Sequence, residues 1–189
     1  MNSRLPSAGR ALGLSILLGG GSLPVAADSF ETEQSLGDNA LVLQGSGTAS
    51  YMIWDVYDAA LYAPAEASES DIVNAEVPMR LILEYRRDLG VEDIRKATWV
   101  ALDDQYDEEE RESIRPRIDS IQDTMIDVGD GDRYRLDWDP ATERLTLHLN
   151  DERRFESDDT ELARAYFGIW LAEPPLSDTL RAALLSRAD

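Results

Sequence analysis

The sequence predicts an α+β fold, an antiparallel sheet with helices packed on one face in two layers. Three observations carry this. Residues 77–85, 134–138 and 145–149 alternate apolar and polar side chains, as half-buried strands do. Residues 91–105, 114–125 and 162–170 instead place apolar side chains three and four apart, as amphipathic helices do. The order is strands, two helices, strands, two helices, without the regular strand–helix alternation that builds a parallel sheet. A length of 189 residues, 43% of them hydrophobic, fits one domain with a core of its own, and no internal repeat is visible.

Residues 1–27 are expected to be a secretory signal peptide. Arg4 and Arg10 form a basic start, residues 11–21 are apolar or small, and Ala26-Ala27 supplies small residues for cleavage after Ala27. The apolar run is too short to span a bilayer. The absence of Cys leaves no site for a lipoprotein anchor. A periplasmic or secreted domain of residues 28–189 is therefore expected. Residues 28–39 are polar and read as loose, and 40–43 as a short strand. Gly45-Ser46-Gly47 reads as a turn or bulge. Residues 51–62 read as one long strand rich in aromatic and β-branched side chains. Tyr51, Ile53, Tyr57 and Leu61 lie on one face; Met52, Trp54, Val56 and Tyr62 lie on the other. A strand apolar on both faces is covered on both.

Residues 64–74 read as a small-residue acidic connection. In the strand at 77–85, Val77, Met79, Leu81, Leu83 and Tyr85 point inward and Arg80, Ile82 and Glu84 outward. Val91, Ile94, Thr98, Ala101 and Leu102 share a helical face, as do Ile114, Ile118, Ile121 and Met125. Pro116 places the start of that second helix near Ser113, where a first-turn proline is tolerated. The strand of Tyr134, Leu136 and Trp138 turns at 139–142 and pairs back through Leu145, Leu147 and Leu149. A third strand is expected over 153–155. Asp158 with Glu161 reads as a capping box for the helix carrying Leu162, Ala165, Tyr166, Ile169 and Trp170. After Pro174-Pro175, Ser177 caps a last helix with Leu180, Ala183 and Leu184 inside.

The composition excludes several chemistries. Without Cys there is no disulfide, thiolate nucleophile or Cys-ligated metal, and a single His excludes a two-His metal site. The formal charge of −20 argues against nucleic acid and against anionic membrane surfaces. Removing residues 1–27 takes away two arginines and no acid, and Lys96 is the one lysine. Such a surface fits an exported protein facing high salt. A cation-binding or basic-partner surface is the alternative, but the acids are spread along the whole chain.

His148 offers a general base, yet its strand position reads more simply as solvent-side. Asp127, Asp130 and Asp132 with Gly129 and Gly131 lack the spacing of a calcium loop and read as a turn. The acidic run 107–110 reads as a helix start favoured by the dipole. Arg86-Arg87 could hold an acidic head group or form a surface pair. No phosphate loop, nucleophile elbow or metalloprotease helix occurs. No cofactor or metal is expected.

Three stretches together carry a family resemblance. They are Leu43-Gln44-Gly45-Ser46-Gly47 followed by Val56-Tyr57-Asp58-Ala59-Ala60-Leu61-Tyr62, then Val128-Gly129-Asp130, then Phe167-Gly168-Ile169-Trp170-Leu171 with Pro174-Pro175 and the leucines from Leu180 to Leu185. In order and spacing the chain resembles bacterial chalcone isomerase-like proteins over nearly all of residues 28–189, with Ala172 where the family has Gly. The resemblance implies the same two-layer fold, and it implies fold more securely than activity. In plant chalcone isomerases an arginine after the glycine turn anchors the substrate, and a threonine on the next strand polarises its carbonyl. The matching positions here hold Ala49 and Val56, which donate nothing through their side chains. Tyr106 matches a third site residue, a tyrosine, whereas Glu109 and Ser113 stand where a lysine and an asparagine complete the plant site. Related plant fatty-acid-binding members hold a carboxylate with an arginine and a tyrosine at the first two places, and Ala49 and Val56 remove that anchor as well.

Two readings follow. One is an exported, non-catalytic member that binds a small apolar ligand, such as a fatty acid or aromatic compound, or a protein partner. The cleft between helices and long strand would then be lined by Tyr57, Tyr62, Arg86 and Tyr106. The other is an intramolecular lyase or isomerase acting on a flavonoid-like or other enone substrate, since ring closure needs mainly positioning and anion stabilisation. The sequence shows no cluster of cationic donors for it, so the first is preferred. It does not reveal an oligomeric state.

Overall fold

The computed structural model describes residues 30–187, so the expected signal peptide of residues 1–27 lies outside the described residues. Seven strands run β1 (Glu33–Leu36), β2 (Asn39–Tyr51), β3 (Trp54–Ala63), β4 (Met79–Tyr85), β5 (Arg133–Asp139), β6 (Arg144–Leu149) and β7 (Glu152–Ser157). They form one curled antiparallel sheet in the order β1 to β7, each paired with its neighbour in sequence. Five helices join them: α1 (Glu69–Val73), α2 (Val91–Gln105), α3 (Glu108–Gln122), α4 (Thr160–Leu171) and α5 (Asp178–Leu184). This is the α+β arrangement expected, with the main core between sheet and helices.

Cross-strand register builds that core in rows. Ala59, Leu83, Tyr134 and Leu149 form one row, and Leu61, Leu81, Leu136, Leu147 and Phe155 the next. The α2 side chains Thr98, Ala101 and Leu102, with Ile114, Ile118 and Ile121 of α3 and nine residues of α4, are buried on the helix side. The opposite face is polar except for a second, smaller cluster. There Phe30, Leu41, Ala60, Tyr62 and Ile82 pack together, flanked by Leu36 and Leu43. Beside it the Arg80 guanidinium forms a two-point ion pair with Asp137 at 2.5 and 3.0 Å. It also donates to the Gln34 amide oxygen of β1 at 2.8 Å. Gln34 thus meets Arg80 across the two intervening strands, β2 and β3.

Several elements differ from expectation. The segment expected to be loose contains β1, a hairpin arm turning at Gly37 with φ +58°. Of the turn or bulge expected at Gly45-Ser46-Gly47, the bulge is what forms, with the register shift between Leu43 and Gly45, and the expected short strand over 40–43 runs on through it as a 13-residue strand. The expected strand over 51–62 is broken by a two-residue turn at Met52-Ile53, where Tyr51 pairs with Trp54. The connection 64–74 holds α1, closed by a Ser68–Asp71 capping box. Helix α3 starts at Glu108 rather than near Ser113, and Pro116 lies inside it. Pro116 is exposed, so the carbonyl it cannot bond faces water, and the Asp107–Glu110 capping box secures the start. The α4 cap is Asp159, one residue later than expected, accepting from the Leu162 N–H. Ser177 caps α5 as expected.

Candidate functional site

The space between the sheet and α4 is an aromatic layer. Tyr57 on β3, Tyr85 on β4 and Tyr134 on β5 point to the helices from neighbouring strands, and α4 adds Tyr166 and Trp170 one turn apart. The rings meet edge to face, with centroids 5.7 Å apart for Tyr57–Tyr85, 6.1 Å for Tyr85–Tyr134 and 6.2 Å for Tyr166–Trp170. The Trp170 indole N–H donates to the Tyr57 hydroxyl at 2.9 Å. The Tyr166 hydroxyl lies 3.3 Å from the Met125 sulfur, and Tyr134 exchanges hydrogen bonds with the Ile126 backbone. Burial pushes the Tyr57 hydroxyl up to about 12 and raises those of Tyr85 and Tyr166 in the same direction. The layer is therefore neutral at any physiological pH. Among the described residues the buried charged side chains are Arg80 and Asp137, and both lie on the other face of the sheet.

The four residues expected to line a single cleft are not brought together. Tyr57 sits in the aromatic layer. Tyr62, five residues along the same strand, faces the opposite side and donates to the Glu31 carbonyl at 2.9 Å. An odd separation on a strand puts two side chains on opposite faces, so one layer cannot hold both. Arg86 lies just past the end of β4 with half its side chain in solvent, bound to Asp58 at 2.5 Å and Asp55 at 3.5 Å. It is the surface pair that was weighed against a head-group anchor. Tyr106 follows α2, half-buried against the helix-side core, its hydroxyl raised by burial and lowered less by nearby Arg164. Arg164 itself is exposed on α4. The residues that complete the layer are Tyr85, Tyr134, Tyr166 and Trp170. Strand alternation and the apolar face of the last long helix had marked them as inward-facing.

Ala49 and Val56 are half-buried at the edge of this layer, packed against the same core. Glu109 and Ser113 are exposed on α3 and do not line the layer. His148 stands on the outer face opposite Arg135, as a strand histidine, and burial followed by the Arg135 charge holds it below its ordinary value. The acids near 130 fasten a turn. Asp127 accepts the first N–H of α2 at 2.8 Å, and Asp132 accepts from Gly129 at 2.8 Å and Asn150 at 3.1 Å. Among the described residues no cluster of three acidic or histidine side chains could hold a metal ion. A groove of about 330 Å³ lies between α2 and α3, but Glu92, Lys96, Asp119 and Asp123 give it mixed charge. It is separate from the aromatic layer.

The family model described as chalcone isomerase-like matches residues 23–186. The chain belongs to that family. Among solved structures it is similar to a fatty-acid binding protein of Arabidopsis thaliana, with a TM-score of 0.63 and 17% identity over 84% of this chain and 92% of that one. At that identity the likeness is one of fold. No curated protein sequence matches. The chalcone isomerase-like fold thus places the aromatic layer between its sheet and its helices. No helix among the described residues is long and apolar enough to cross a membrane.

Proposed function

We propose that this chalcone isomerase-like protein is an exported, non-catalytic carrier. It binds a small apolar molecule, a fatty acid or an aromatic compound, between the sheet and α4. The neutral aromatic layer of Tyr57, Tyr85, Tyr134, Tyr166 and Trp170 carries this reading. Its lining is rings and hydroxyls packed on one another at 9% exposure or less, which a ligand would part to enter, and no described cation within it meets a carboxylate or phenolate. An apolar body fits such a lining, with any charged head group left at the rim near Tyr106 and Arg164. Enone cyclisation would develop anionic charge that needs preorganised donors. Ala49 and Val56 supply none at the two positions where plant isomerases have them. Export rests on the basic, apolar and small-residue pattern of residues 1–27.

The test is native mass spectrometry and intrinsic tryptophan fluorescence of the chain from Asp28, titrated with palmitic acid and with a chalcone. Saturable binding of either, weakened by Tyr166→Ala, supports the carrier. Failure of both to bind removes it. Loss of chalcone absorbance above the buffer rate, abolished by Tyr106→Phe, would establish the isomerase instead.

A further inference from the structure

The β2–β3 hairpin ends in four consecutive apolar side chains that nothing covers. Tyr51, Met52, Ile53 and Trp54 are 72, 84, 84 and 57% exposed. They include the most exposed large apolar side chains described, on a chain that otherwise presents acids. The turn itself is strained. Met52 holds φ +58°, a conformation that glycine adopts without cost and that a side chain with a Cβ resists. The same backbone conformation occurs at Ala75, Glu143 and Asn150, and what sets Met52 apart from them is an exposed, large apolar side chain.

The collar under the tip is electrically balanced. Arg86 bridges Asp55 and Asp58, which also accept from Ser50 at 2.7 Å and Thr48 at 2.6 Å. The Arg87 guanidinium lies 5.1 Å from the Trp54 ring centre. It braces the indole and sets a cation just behind it. The −20 net charge is therefore carried elsewhere on the chain, and the tip is its apolar, neutral end.

We infer that the tip is a membrane anchor point: Met52 and Ile53 enter the acyl boundary of a lipid bilayer, with Tyr51 and Trp54 at headgroup depth. Aromatic side chains flanking aliphatic ones match the vertical order of a bilayer interface. Arg87 stands where it can meet a headgroup phosphate. A bilayer is favoured over a protein because a turn of four side chains cannot supply the roughly 800 Å² per partner of a stable protein interface. The inference does not depend on the carrier reading, because lipid docking is measured without any carried ligand.

The experiment floats the chain from Asp28, which holds every described element, on phosphatidylcholine vesicles with and without phosphatidylglycerol. The wild-type chain is expected to co-float, most strongly with pure phosphatidylcholine, and its fluorescence to shift to the blue. Trp54→Phe should keep flotation and lose most of the shift. Met52→Gly with Ile53→Ser should lower the partition coefficient about tenfold or more. Because glycine relieves the turn, that variant should melt no lower than the wild type, which separates lost docking from lost folding. Absence of flotation, or equal flotation of wild type and double variant, overturns the inference. So does a concentration-dependent dimer in sedimentation that the double variant abolishes, which would make the tip a contact between copies.

Discussion

The Trp170 indole N–H and the Tyr57 hydroxyl, 113 residues apart in sequence, meet at 2.9 Å between α4 and β3. The bond is the polar cross-link of an otherwise apolar interface, with the two side chains 9% and 8% exposed. Tyr57→Phe leaves the indole N–H buried without an acceptor. It is expected to cost about 1–3 kcal/mol in urea unfolding. Trp170→Phe removes the donor together with part of a large ring and should cost more, because the vacated volume adds a cavity cost. If Tyr57→Phe were neutral, the N–H would have found water, and the layer would be wetter than its burial indicates.

The same burial makes stability fall at alkaline pH. Tyr57 has an ordinary value of 10.0 and is pushed up to about 12 in the fold. Below pH 10 both folded and unfolded chains hold the proton, and the contribution is fully present. As pH rises, the unfolded chain ionises first and gains free energy that the folded chain cannot. Between 10 and 12 this one group should remove about 2 kcal/mol. Tyr85 and Tyr166 shift in the same direction and add to the loss. Urea midpoints measured from pH 8 to 11.5 should drop steeply above 10, and less steeply in Tyr57→Phe. A flat profile would place these hydroxyls in contact with solvent.

On the other face, Arg80 and Asp137 form a directly opposed cross-strand pair, and both side chains are nearly withdrawn from water. Breaking such a pair leaves an uncompensated buried charge. Asp137→Ala is therefore expected to cost about 3–5 kcal/mol. Arg135 also lies 3.2 Å from Asp137 and would be left beside Arg80 without the acid between them. Replacing both partners, Arg80→Met with Asp137→Leu, should recover most of the loss, because it is the unmatched charge that costs, not the missing attraction. Thermal melts of the single and double variants decide it. A double variant as weak as the single would mean that the Arg80 bond to Gln34, which pins β1, matters more than the ion pair.

Alternation and helical spacing made most of the fold legible. The inward sets of β4, β5 and β6 and the apolar faces of α2, α3 and α4 stand where the pattern put them. The site was half legible. Tyr85 and Tyr134 share a face with Tyr57 by strand parity, while the same parity separates Tyr62 from it, so motif proximity misled where alternation was the better guide. The Met52-Ile53 turn was hidden because no Gly, Asn or Pro marks it, and apolar residues run unbroken through the tip. The start of α3 was misplaced because Pro116 was weighed as a helix breaker. On a solvent-facing turn its missing N–H is cheap, and the Asp107–Glu110 box outweighs it. Strand β1 was missed because a four-residue polar segment carries too little alternation to register.

Gly45 shows what the glycine signal on β2 was for. Its φ lies outside the left-handed range, so conformational freedom is not the reason. A Cβ built there would lie 1.9 Å from the Ala183 carbonyl oxygen and 2.8 Å from that of Leu184. The end of α5 thus rests directly on the backbone of β2, and the chain just beyond it is held by the Arg187 N–H donating to the Gln44 carbonyl at 2.9 Å. Gly45→Ala must push α5 off the sheet, since both close atoms are backbone and neither can rotate away. We expect a loss of about 3 kcal/mol or more. Leu180, Leu184 and Leu185, now in the helix-side core, would be exposed, and limited proteolysis should cut first near α5. Gly47→Ala meets only the Ala183 and Leu180 side chains, at 2.9 and 3.2 Å, and should be the milder change. If the two variants melt alike, the helix is free to slide on the strand, and the glycines are there for the bulge rather than for the docking of α5.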